Sequence, residues 1–90
     1  MLKAKLKVIN QLGLHARAAA QLVRLAGSFQ SNIVLKRPDN GVAADAKSIL
    51  SVLTLAAAKG TELTLQVEGA DEKRATQAIE EIFQDGFGEL

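Results

Sequence analysis

The chain has 90 residues, a net charge of +1, and neither cysteine, tryptophan nor tyrosine. That length supports one core, so residues 1–90 read as a single domain, and the missing cysteines exclude disulfides, thiolate chemistry and Cys-rich zinc sites. Balanced charge argues against a broad polyanion-binding face, and three phenylalanines make a poor base-stacking platform, so no nucleic-acid partner is expected.

Apolar residues make up 48% of the chain, but fifteen of them are alanines. The core must come from Leu, Ile, Val and Phe, with alanine letting helices lie close to whatever they cover. This favours a compact two-layer domain over an enzyme with a deep pocket. At the N-terminus, Met1 to Lys7 alternates without an apolar stretch of signal-peptide type. No run approaches the ~18 apolar residues of a membrane span, which makes the cytoplasm the expected location and membrane insertion unexpected.

In chain order, Leu2, Ala4, Leu6 and Val8 alternate with Lys3, Lys5 and Lys7, the pattern of a strand with one face buried. Asn10-Gln11-Leu12-Gly13 interrupts it. From Ala16 to Ala26 the period becomes helical, with Ala19, Leu22, Val23 and Ala26 on one stripe and Gly27 as the expected C-terminal cap. A second strand follows at 32–36. Pro38-Asp39-Asn40-Gly41 signals a turn, and Val42 to Ala44 returns as a short antiparallel partner.

Ser48 to Leu55 reads as a short helix capped by Asp45 or Ser48 and broken at Lys59-Gly60. Glu62 to Glu68 alternates, with Leu63, Leu65 and Val67 on one face. Asp71 is the expected cap of a last helix with stripe Ala75, Ala78, Ile79, Ile82 and Phe83, closed by Gly86. The order βαββαβα implies an α+β fold: an open-faced two-layer sandwich with a four-stranded antiparallel sheet and three helices on one face. The other face, with Lys3, Lys5, Lys7, Glu62, Thr64, Gln66 and Glu68, is left to water.

The segment Gly13-Leu14-His15-Ala16-Arg17 carries the most chemistry. It sets the only histidine after a glycine turn and at a helix start. A helix start offers unpaired N–H groups and partial positive charge to an anion, and Arg17 adds a cation of bidentate phosphate geometry. A neutral imidazole there is a nucleophile with donors already in place for a phosphoryl group. On spacing alone the plainer alternative, a turn or surface histidine, stays open. So does a plain helix cap for Ser48.

These residues resemble the active-site motif of the HPr family, the histidine-containing phosphocarriers of the bacterial sugar phosphotransferase system. Lys47-Ser48-Ile49-Leu50 is similar to that family's regulatory serine region, Ala58-Lys59-Gly60-Thr61 to the turn before its last strand, and Glu68-Gly69-Ala70-Asp71-Glu72 to the entry of its last helix. The resemblance implies a carrier rather than an enzyme, with no cofactor and no metal. His15 would be phosphorylated on Nδ1 by enzyme I, with phosphoenolpyruvate as ultimate donor, and would pass the group to IIA domains of sugar permeases. Arg17 would assist both transfers.

A docking surface formed by Leu14, Ala16, Ala20, Lys47, Ile49, Leu50 and Leu53 would serve these partners, with the chain acting as a monomer. Ser48 matches the residue that HPr kinase/phosphorylase modifies. Many family members have proline where this chain has Ala18, which would leave the first helical turn looser. Two alternatives remain at this level: a carrier of the nitrogen-related regulatory branch, and a small α+β binding module without covalent chemistry.

Overall fold

The computed structural model describes residues 1–90. Strand β1 spans Leu2–Lys7, helix α1 Ala16–Gly27, β2 Asn32–Lys36, β3 Ala43–Asp45, α2 Ile49–Leu53, β4 Glu62–Glu68 and α3 Glu72–Gln84, followed by a 3-10 turn at Gly86–Gly88. The four strands form one sheet in the order β1-β4-β2-β3, every neighbouring pair antiparallel. This is the α+β open-faced sandwich that the alternating strands and helical stripes imply.

Strand alternation sets the register. Ala4 stands opposite Leu65, Leu65 opposite Leu35 and Leu35 opposite Ala44, so one row of apolar side chains crosses all four strands on the covered face. A one-residue slip of β4 would turn Leu63, Leu65 and Val67 to water; burying each stabilises by roughly 1.5–3 kcal/mol, which fixes the pairing. Over this face α1 lays Ala18, Ala19, Leu22 and Ala26, and α3 lays Ala75, Thr76, Ile79 and Phe83, while α2 contributes Val52. Alanine at the α1 contact keeps that helix close to its neighbours.

Two local expectations need correction. Gly27 is the last residue of α1 and takes no left-handed conformation; Ser28 occupies the cap position and donates its N–H to the Leu25 carbonyl at 3.1 Å. Asp71 stands at the start of α3 but its side chain does not cap it. The carboxylate reaches across instead to accept from the Gln30 N–H at 2.8 Å, the Ser31 N–H at 3.0 Å and the Ser31 hydroxyl, tying the α1–β2 connection to the start of α3. Gly86 closes α3 as expected, in the left-handed conformation (φ 59°) just past the cap position held by Asp85; beyond it Phe87 is also left-handed (φ 56°) and packs edge-on against Phe83, ring centroids 5.0 Å apart. Burial of both rings offsets the strain of a positive φ at a non-glycine residue.

Candidate phosphoryl-acceptor site

The loop between β1 and α1 is held on both sides before it reaches the site. Val8 exchanges backbone hydrogen bonds with Thr61 and Gly60, and the Leu14 N–H donates to the Ala57 carbonyl at 2.9 Å. Gly13 lies against that same segment with φ +66°; a Cβ there would run into the Ala57 carbonyl and the Ala58 backbone. Glycine is required here by conformation and by space together. The effect is to deliver His15 to the N-cap position of α1 with extended backbone (φ −73°, ψ −179°), its carbonyl accepting from Ala19 N–H at 2.8 Å.

The His15 side chain does not cap the helix. The N–H groups of Ala16, Arg17 and Ala18 therefore donate to no protein group and form an open anion-facing helix end. Arg17 is exposed and makes no ion pair; it lines a surface hollow together with Gln11, Leu12, Gly88 and Glu89.

The imidazole turns towards the segment after α3. Its Nε2 lies 2.7 Å from Oε2 of Glu89, and Oε1 of the same carboxylate accepts from the Asn10 side-chain amide at 2.9 Å. That amide nitrogen also donates to the Gly13 carbonyl at 2.9 Å. Asn10 is fully buried, and His15 and Glu89 are partly buried. The Asn10 amide, then the His15 ring, hold the Glu89 carboxyl below the usual carboxylate range, with Arg17 adding a weaker pull. No three His, Asp or Glu side chains converge as metal ligands.

Neither Asn10 nor Glu89 stands out in the sequence. Glu89 is 74 residues from His15, and a lone acidic residue after Gly-Phe-Gly carries no local signal. Asn10 reads as an ordinary turn residue.

Ser48 caps α2: its hydroxyl accepts from the Ser51 N–H at 3.3 Å, and the Ser51 hydroxyl accepts from the Asp45 N–H at 2.9 Å. Of the expected docking residues, Leu50 is 75% exposed, Ile49 39% and Leu53 37%, whereas Leu14 is only 5% exposed. Leu14 is a core residue, because its N–H bond to Ala57 turns the side chain inward. Ala16 is exposed, Ala20 half-buried, and the Lys47 ammonium is bound to the Phe29 carbonyl at 2.8 Å instead of standing free.

An open sandwich presenting one histidine at an uncapped helix start, with an arginine free of ion pairs two residues on, has the features of a carrier of anionic groups. The family description "PTS HPr component phosphorylation site" matches residues 2–85. The phosphocarrier protein HPr of Cupriavidus necator is 46% identical over 99% of this chain and 98% of its own length. The phosphocarrier protein NPr of Proteus mirabilis is 38% identical, covering 94% of this chain and 93% of its own. Among solved structures, HPr-C-His from Thermoanaerobacter tengcongensis superimposes with a TM-score of 0.93 at 33% identity, covering 100% of this chain and 99% of that one. The chain belongs to the HPr family of the phosphotransferase system. It is a phosphocarrier, an intermediate in phosphoryl transfer and not an enzyme, which removes the reading as a binding module without covalent chemistry.

Proposed function

We propose that residues 1–90 act as one monomeric cytoplasmic domain that takes a phosphoryl group from enzyme I onto Nδ1 of His15 and gives it to IIA domains of sugar permeases. The uncapped start of α1 carries this reading: three N–H groups that donate to no protein group follow the only imidazole of the chain, with the exposed Arg17 in the same helical turn. Those donors are in place before the charge arrives, so little reorganisation accompanies the transfer. Arg17 acts on the transferring group in both directions. The exposed Ile49, Leu50 and Leu53, with Ala16 and Ala20, form the apolar skin that partners dock on.

Ser48 is the regulatory site for HPr kinase/phosphorylase. It is half-buried at the start of α2, where a dianion would meet the helix end while adding negative charge to the docking face. The sugar branch is favoured over the nitrogen-related branch because relatives named HPr reach 46% identity against 38% for the NPr relative. No helix of the structure is long and apolar enough to cross a membrane. The test incubates the protein with enzyme I and labelled phosphoenolpyruvate, then adds a IIA domain. Acid-labile label should appear on the wild type, move to the IIA domain, and never appear on His15→Ala; label on His15→Ala would refute the assignment.

A further inference from the structure

The geometry points to Glu89 as a positioning residue that keeps the His15 proton on Nε2 and the lone pair on Nδ1, with Asn10 fixing the direction in which Glu89 acts. This rests on His15 being the phosphoryl acceptor. It goes beyond the family description, whose match ends at residue 85, before the turn that carries Glu89.

A carboxylate only accepts hydrogen bonds. At 2.7 Å from Oε2 the ring nitrogen Nε2 must therefore be the donor, and in the neutral ring the lone pair is left on Nδ1. The other carboxylate oxygen takes a hydrogen bond from Asn10, and the same Asn10 nitrogen is bound to the Gly13 carbonyl. Asn10 cannot turn its amide round without setting its oxygen against two acceptors at once. Buried Phe87, packed on Phe83, anchors the turn that brings Glu89 to the ring. The arrangement runs from a fixed donor through a carboxylate to an imidazole, so the nucleophilic nitrogen is chosen before a partner docks. A carboxylate behind a histidine sets tautomer and orientation in the same way in hydrolytic triads.

The transfer step then balances without proton release. The Nδ1 lone pair forms the new N–P bond while phosphorus leaves the phosphorylated donor protein, whose bonding pair stays with the donor. The ring gains a positive charge shared with Nε2–H, and the Glu89 carboxylate lies against that proton. On onward transfer the N–P pair returns to Nδ1 and the proton has never left Nε2.

Asn10 makes the isosteric variant the informative one. In Glu89→Gln the amide oxygen faces the Asn10 donor, and the amide NH2 faces His15. The NH2 must then donate to Nε2, which moves the ring proton to Nδ1 and consumes the nucleophilic lone pair. Glu89→Ala only loses the contact. The amide variant should thus be the worse of the two, the reverse of what loss of packing would give.

The experiment records ring 15N shifts of the resting protein at alkaline pH, then phosphorylation rates with enzyme I, for wild type, Glu89→Ala and Glu89→Gln. The wild-type ring should carry its proton on Nε2, and the Glu89→Gln ring on Nδ1. Phosphorylation should slow by roughly tenfold in Glu89→Gln and by only about twofold to fivefold in Glu89→Ala. A Glu89→Gln ring still protonated on Nε2, with a wild-type rate, overturns the inference. Ring shifts as described with no acid-labile phosphate on the wild type would instead strike down His15 as acceptor, so the two failures are distinct.

Discussion

At the start of α1 the cap position is held by a histidine whose side chain turns away from the helix; at the start of α2 it is held by a serine whose hydroxyl turns into it. The first helix end is left with three free N–H groups, and the second has one of its donors satisfied by its own cap. Under the proposed function the difference bears on chemistry as well as structure. The α1 end stays open because Glu89, itself held by Asn10, engages the His15 ring, so an anion arriving at the helix start displaces no protein group. At α2 a phosphate on Ser48 would be attached to the cap itself, which suits a modification that persists rather than one that passes through.

The largest expected effect lies at the open end. Arg17→Ala should slow transfer both from enzyme I and to a IIA domain by roughly 2–4 kcal/mol of transition-state stabilisation, with no loss of stability. Steady-state rates in both directions check this, and unchanged rates would reduce Arg17 to a solubilising residue. Gly13→Ala should damage the same end through the backbone. The left-handed conformation alone costs about 1–3 kcal/mol, and the collision with Ala57 adds to it, so both the urea midpoint and the phosphorylation rate should fall.

At the closed end the effects are smaller and separable. Ser48→Ala should cost about 1 kcal/mol through loss of the cap and leave His15 phosphorylation unchanged. Ser48→Asp should keep the cap yet slow phosphorylation by enzyme I at low salt, the difference fading at high salt as the charge is screened. Equal rates for Ser48→Asp and wild type at low salt would leave Ser48 a structural cap.

The third helix start sharpens the contrast, because Asp71 at that position serves a different segment. The Ser31 hydroxyl, then the Gln30 N–H, lower its pKa to about 2 from an ordinary 3.8. A depressed carboxylate stabilises the fold above its unfolded value, and that contribution is lost as pH falls. The urea midpoint should therefore decline between about pH 4 and pH 2. Asp71→Asn should flatten that decline.

Much of this was legible in the chain because the signals are local. Alternation in Leu2–Val8 and Glu62–Glu68 gave strands with the observed buried faces, and the Gly-Leu-His-Ala-Arg run placed His15 at a helix start. What escaped reading depends on contacts between distant segments. Leu14 reads as exposed beside the histidine, and only its N–H bond to Ala57 turns it inward. Asp71 has the sequence position of a cap, yet Ser31 and Gln30 claim its carboxylate. Glu89 has no periodic or turn signature; it reaches the ring because Phe87 takes a left-handed turn to bury against Phe83, a choice visible only once the core exists.

The most direct test of the central claim is to locate the phosphoryl group on the protein itself. After reaction with enzyme I and phosphoenolpyruvate, mass spectrometry under alkaline conditions should place one acid-labile phosphate on the peptide containing His15, and 15N–31P coupling should assign it to Nδ1. A phosphate found on any other residue, or one that survives acid, would contradict the account.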